Sequence, residues 1–260
     1  MSEAEQSGAD AVPVEVLTDE ELAILARPGS IVVSPYLESL PEGQREAVTR
    51  TAYRGLVARG IVDPPTAAAA GEAMSRGDGE VALMVRQDVR SIVALREAAR
   101  VVVAVARTTA ATKDFWYAHV VDDVAVLEEV GSDGMHRFAL ADAGRLPDLV
   151  AAAAVHPDAG DAVGAPVELT AEPGDPTPPD ELLERLGAAT LRSDVVVRWA
   201  GDREPVLVGL FTGPAGSWTT EVGAGSGAVP VAVPGSADDA RGTVRRLVED
   251  AFAQVTIHGR

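Results

Sequence analysis

The stretch DFWYAHVVDDVAVLEEVGSDGMHRFAL, from Asp114 to Leu140, constrains the fold more than any other part of the chain. Two turn signals, Asp122-Asp123 and Gly131-Ser132-Asp133-Gly134, cut it into three alternating runs, the pattern of consecutive antiparallel strands. A two-residue turn at Asp122-Asp123 sets Val121 opposite Val124, His119 opposite Val126, Tyr117 opposite Glu128 and Trp116 opposite Glu129. A four-residue turn at GSDG sets Val130 opposite Met135, Glu128 opposite Arg137 and Leu127 opposite Phe138. Opposed residues share a face, and faces alternate along a strand. One face then collects Trp116, Ala118, Val120, Ala125, Leu127, Phe138 and Leu140 as a core surface. The other presents Tyr117, His119, Glu128 and Arg137 beside Val121, Val124 and Val126, a solvated face with Glu128 and Arg137 as a cross-strand pair worth about 0.2–1 kcal/mol.

This register bears on chemistry. A zinc site needs three or four converging ligands, and the polar face offers only His119 and Glu128. His136 and Glu129 sit across from each other on the opposite face and cannot join them. A nucleophile–histidine–acid set needs a serine or threonine near His119, and the local sequence supplies none. The adjacent carboxylates elsewhere (Asp19-Glu20-Glu21, Asp180-Glu181, Asp238-Asp239) stand at helix starts, where they favour the helix dipole. They are not a glycosidase pair facing across a cleft. GAGSG, Gly223 to Gly227, joins two strands and lacks the helix and the Lys-Ser/Thr pair of a phosphate loop. Pro230, in the strand after it, points to a sheet edge. GPAGSWT reads as a tight turn whose Trp218 anchors the next strand, without the spacing of a nucleophile elbow. The residues thus give no catalytic set and no cofactor or metal. The enzymatic alternative is a site assembled from distant residues around His119, Glu128 and Tyr117.

The 260 residues are 47% hydrophobic but only 4% aromatic, so the core rests on Val, Ala and Leu. A formal net charge of −18 opposes nucleic-acid and anionic-membrane binding. Arg45, Arg50, Arg54 and Arg59 lie on one predicted helix, YRGLVARGIV following as if into a wing, which makes an acidic winged-helix regulator a further alternative. No cysteine is present, which excludes disulfides and thiol chemistry. The start, MSEAEQSGADA, lacks the basic and apolar regions of a signal peptide, and no apolar run reaches the length of a membrane span. The expectation is a cytoplasmic protein with a disordered tail over 1–12.

The order of elements predicts an α/β (α+β) fold. After the short strand of VPVEV, Thr18 and Glu21 have the spacing of a capping box. PEGQREAVTRTAYRGLVARG carries a helical repeat ended by Gly60, and TAAAAGEAMSRG reads as a third helix. EVALMVR and RVVVAVARTT read as strands, with DVRSIVALREAA between them open between strand and helix. AGRLPDLVAAAAV returns to helix. A first half over 13–155, a Pro/Gly/Asp-rich connection over 156–179 and a second half over 180–260 follow, packed as one domain. The second half repeats the plan: PVEL echoes PVEV, then come helix PDELLERLGAAT, strands DVVVRWA, EPVLVGLFTG, SWTTEVG and AVPVAVPG, and the closing helix ADDARGTVRRLVEDAFAQV.

From Val12 to Phe252 this order, with Leu56-Val57-Ala58-Arg59-Gly60 and the GSWTTEV turn and strand, resembles the EspG family, the cytosolic chaperones of ESX (type VII) secretion. Where members of that family often carry Gly-Arg before the last strand, this chain has Gly216-Ser217-Trp218. The resemblance implies one domain of pseudo-twofold halves around a central, mainly antiparallel sheet with helical layers. It also implies no catalysis, and a protein client: the apolar helical tip of a PE–PPE-like secretion substrate. The candidate binding rim is Ala110, Thr112 and Asp114 with Gly223, Ser226 and Gly227.

Overall fold

A computed structural model describes residues 11–27, 31–66, 83–168, 186–201, 203–222 and 230–258. Strands are β1 (Ala11–Thr18), β2 (Val62–Asp63), β3 (Met84–Val85), β4 (Val101–Thr108), β5 (Lys113–Val121), β6 (Val124–Val130), β7 (Met135–Asp142), β8 (Val167–Glu168), β9 (Leu191–Trp199), β10 (Val206–Gly213), β11 (Gly216–Val222) and β12 (Val231–Gly235). Helices are α1 (Asp19–Leu25), α2 (Pro35–Ser39), α3 (Glu42–Ala58), α4 (Gln87–Ala98), α5 (Leu146–Ala154) and α6 (Ala237–His258).

Ten strands form one antiparallel sheet in the order β1-β7-β6-β5-β4-β9-β10-β11-β12-β8; β2 and β3 pair separately. The order is the same in each half when read outward from the central β4–β9 pair. Three hairpin-linked strands follow the central one, and the first strand of that half closes the edge. The PVEV and PVEL segments occupy equivalent places: Glu15 of β1 pairs with Phe138 of β7, and Glu168 of β8 pairs with Val231 of β12. β8 therefore belongs to the sheet of the second half, although it falls in the segment predicted as connection.

Val-rich alternation explains the middle of the sheet. Val101, Val103 and Val105 of β4 lie beside Val197 and Val195 of β9, all buried on one face with Trp116, Ala118 and Leu127. Helices α5 and α6 cover that face. Ala240, Val244, Val248 and Ala251 recur at helical spacing along α6 and meet Val150, Ala151 and Ala154 of α5. The opposite face of the first half is covered too. Leu22 of α1, Leu56 of α3, and Val89 and Ile92 of α4 pack with Leu17, Val126 and Phe138 of the sheet.

Several local expectations hold. Thr18 Oγ1 accepts the Glu21 N–H at 3.2 Å, and the Glu21 carboxylate accepts the Thr18 N–H at 3.1 Å, the reciprocal capping box. Gly60, at φ 65°, ends α3 while Ile61 N–H reaches Leu56 O at 2.9 Å, the left-handed glycine stop. The open segment 87–99 holds helix α4, which ends at Ala98. The turn at Gly213–Gly216 places Trp218 in the interior, as predicted.

Others do not. Ala11 and Val12 lie in β1 and not in the tail, whose remainder lies outside the described residues. So do the predicted third helix, apart from Thr66, and most of PDELLERLGAAT. Pro230 precedes β12, which is an inner strand flanked by β8, not an edge.

The largest correction concerns the second turn. The first hairpin has the predicted register, Val121 opposite Val124 through Trp116 opposite Glu129. The next pair is shifted by one: Val130 faces His136, Glu129 faces Arg137, Glu128 faces Phe138 and Leu127 faces Ala139. Gly134 N–H bonds Gly131 O and Gly131 N–H bonds Met135 O, both at 3.1 Å, with Gly134 at φ 73°. A β-turn closed by a left-handed glycine adds one residue to the loop. A one-residue slip exchanges the faces of the whole strand. Phe138 and Leu140 thus join the α1–α4 side, away from Trp116 and Leu127. Arg137 leaves Glu128, and His136 arrives beside it.

Candidate functional site

The face expected to be solvated holds a buried ionic network. His119 is 2% exposed, His136 1% and Glu128 0%. β5 supplies His119, β6 Glu128 and β7 His136. Asp19, the first residue of α1, and Arg96, in the last turn of α4, close onto them from the helical layer. Glu128 Oε1 accepts from His136 Nδ1 at 2.6 Å, and Oε2 accepts from His119 Nε2 at 2.8 Å and Arg96 Nε at 2.7 Å. On its other side His136 Nε2 donates to Asp19 Oδ1 at 2.6 Å. Asp19 Oδ2 accepts the N–H groups of Tyr36 and Leu37 at 2.7 and 3.0 Å. Glu128 is thus paired with Arg96, Arg137 having moved to the opposite face.

A carboxylate only accepts, so both ring nitrogens of His136 must donate, which makes it an imidazolium between two acids. Burial opposes that charge, but the bonds to Asp19 and Glu128 outweigh it and raise the His136 pKa above its ordinary value of 6.5. Burial likewise pushes the Glu128 carboxyl up. The hydrogen bonds from His119 and His136 and the charge of Arg96 outweigh it and hold the group far below the usual carboxylate range. Two carboxylates, Asp19 and Glu128, thus face the charges of His136 and Arg96. Burial pushes the Tyr117 hydroxyl up to about 12; it accepts a long bond from Val33 N–H, at 3.4 Å.

The network runs end to end, and among the described residues no group of three His, Asp or Glu side chains is arranged to hold a metal ion. Glu128 is held ionised and away from solvent, unlike a general acid with a raised pKa. One polar atom in it has no partner: His119 Nδ1. The other such buried atom among the described residues, Ser193 Oγ, lies on the opposite face of the sheet.

Two clefts flank the network. A cleft of about 360 Å³ reaches His119 from the side of Arg100, Arg198 and Trp199, and one of about 310 Å³ reaches Asp19 and His136 from the side of Ser34 and Glu38. A third, apolar groove of about 480 Å³ lies along the first strands, lined by Pro13, Val16, Trp116, Leu127, Arg137 and Ala139.

No family model matches this chain, and no curated protein matches it in sequence.

Of the predicted binding rim, Ala110 and Thr112 are exposed in the β4–β5 turn and Asp114 is half-buried on β5, on the Trp116 side. Gly223, Ser226 and Gly227 lie outside the described residues. The sequence reading missed Arg96 and His136 as partners of Glu128, and Asp19 as the second partner of His136. Arg96 carried a signal: read as a helix, α4 buries Val89, Ile92, Val93 and Arg96 on one stripe. An arginine on an apolar stripe calls for a buried acid. The arginines proposed as a recognition face are in part engaged: Arg50 with Glu46, and Arg59 with Glu15 and Glu21. Among the described residues no helix is long and apolar enough to cross a membrane.

Proposed function

We propose that the protein is a non-catalytic cytoplasmic chaperone or adaptor that holds an apolar helical segment of a secretion substrate of the PE–PPE-like kind. The observation that carries this reading is the groove along β1, β7, β6 and β5. Trp116 and Leu127 form its floor, and Val16, 37% exposed on an edge strand, forms its lip. It lies on the α5/α6 face of the sheet, at the rim of the covered area. An amphipathic helix lays its apolar stripe into such a groove. Asp114 stands two residues from Trp116 on the same side of β5, paired with Arg107, which also bonds Glu129. That polar rim can meet the helix's charged flank, and the exposed Ala110 and Thr112 extend it. The register that kept His136 from His119 no longer supports a non-catalytic reading. What supports it now is that the acids of the network are fully engaged by donors and shielded from solvent.

Co-expression with a helical PE–PPE-like secretion substrate tests the proposal. The wild type should keep the client soluble and co-elute with it. Val16→Asp should abolish both effects, while Val233→Asp, exposed on β12 at the far side of the sheet, should change neither. Equal capture by Val16→Asp, or no capture by the wild type, removes the basis of the reading.

A further inference from the structure

The cleft beside His119 concentrates positive charge on a chain of net charge −18. Four arginines line it, Arg27, Arg96, Arg100 and Arg198, against one acid, Glu97. Glu97 is held by Arg27, whose backbone N–H it accepts at 2.7 Å. Arg96 is held by Glu128. Arg100 and Arg198 have no carboxylate partner among the described residues, and both are exposed at the cleft. The floor is built in register. Val102 of β4 pairs with His119 on one side and Arg198 on the other, so the two side chains rise from the same face about 10 Å apart at the backbone. Arg100 is fixed at the end of β4: its N–H bonds Val120 O at 3.1 Å, and its carbonyl accepts from Ala200 N–H at 2.8 Å. The backbone that carries these cations is therefore set before any ligand arrives.

His119 adds selectivity. Its Nε2–H must donate to the Glu128 carboxylate, since that oxygen only accepts. The other ring nitrogen, Nδ1, is buried and has no partner, and a hydroxyl, which both donates and accepts, can supply one. A ligand that satisfies the cleft brings negative oxygens for Arg100 and Arg198 and a hydroxyl for Nδ1.

We propose that this cleft is a binding site for a small oxyanion that carries a hydroxyl group, of which hydrogenphosphate and hydroxycarboxylates are the simplest types. The site is independent of client capture: it lies on the opposite face of the sheet from the apolar groove.

Calorimetric titration of the full chain at pH 8 with inorganic phosphate, sulfate and lactate tests it. Phosphate and sulfate are both dianions there, but only hydrogenphosphate has a hydroxyl. Saturable one-to-one phosphate binding is expected, with sulfate clearly weaker. Lactate binding would identify the hydroxycarboxylate class, and its failure alongside phosphate binding the phosphate class. Arg100→Gln and Arg198→Gln, both at exposed positions that leave the network intact, should each weaken phosphate binding about tenfold, the loss of one charge-assisted bond. Phosphate should also shift the His119 ring nitrogen resonance in the wild type, which a purely structural histidine would not show. No saturable binding of phosphate or lactate, sulfate bound as tightly as phosphate, or affinity untouched in both variants would overturn the assignment.

Discussion

Glu128→Gln is the substitution that separates the two registers. Under a solvated Glu128–Arg137 pair it would cost less than about 1 kcal/mol. In the structure Glu128 is 0% exposed and accepts from three donors: Arg96 at 2.7 Å, His119 at 2.8 Å and His136 at 2.6 Å. An amide keeps one acceptor oxygen. If that oxygen serves Arg96 and His119, the new NH₂ meets the His136 N–H, donor against donor. The opposite orientation leaves Arg96 and His119 so placed. In either case two buried cations lose their shared anion, and breaking a buried pair on one side costs about 3–5 kcal/mol. For a chain of this size that lowers Tm by on the order of 10 °C. Urea denaturation followed by circular dichroism measures it, with Glu129→Gln as control. Glu129 is 45% exposed in its side chain and bonded to Arg107 at the rim, so its loss should stay below about 1 kcal/mol. If the two variants lie within about 1 kcal/mol of each other, the buried network and the register that creates it are wrong.

The network also sets a pH window. His136, raised in the folded state, contributes stability that is complete below its ordinary value of 6.5 and is lost as pH climbs through the folded value. Glu128, lowered when folded, contributes stability that is complete above its ordinary 4.5 and is lost as pH falls through the folded value. Both contributions are whole between about 4.5 and 6.5, so urea midpoints should decline from there toward pH 9, and His136→Gln should flatten that decline; an equal decline in the variant would refute the assignment. Gly134→Ala should cost about 1–3 kcal/mol for its left-handed backbone alone. Its Cβ would lie 2.6 Å from Tyr36 Cβ and 3.0 Å from Asp19 Oδ2. A loss under about 0.5 kcal/mol in the same urea assay would count against the bulged turn.

What the sequence revealed and what it hid follow from the range of the interactions. Asp122-Asp123 fixes the first hairpin because two residues between alternating strands leave one turn length, and Asp122 accepts the positive φ of 52° it needs. GSDG is compatible with two loop lengths. The choice depends on Gly134, whose carbonyl accepts the Asp19 N–H at 2.9 Å and whose missing side chain makes room for Tyr36 and Asp19. No local pattern encodes that contact. The same holds for the network: Asp19 and His136 are 117 residues apart, and Arg96 reaches Glu128 only because 87–98 is helical. The order of elements along the chain was readable because PVEV and PVEL each precede a set of Val-rich strands, a pattern local to each half; the order of strands within the sheet was not. The polar face was misread because three strands alone cannot tell solvent from a helical layer.

The core helps explain why such a network is there. Packing made of Val, Ala and Leu, with few aromatics, offers many nearly equivalent ways to seat a helix on a sheet, since small side chains interdigitate in several registers. Charged groups in the interior are poor sources of net stability, but they admit few arrangements. Asp19 fixes α1 and the start of α2 against β7 through His136, Tyr36 and Leu37. Arg96 fixes the last turn of α4 against β6. The network thus seats α4, whose Arg96 and Glu97 line the cationic cleft, and holds His119 in one orientation at its floor. On the other side of the same strands, Trp116 and Leu127 are free of these charges and line the apolar groove. One layer of backbone keeps the two chemistries apart: strand alternation sends Tyr117, His119 and Glu128 to one side and Trp116, Ala118 and Leu127 to the other, so the cationic cleft and the apolar groove meet at the two faces of β5 without sharing a side chain.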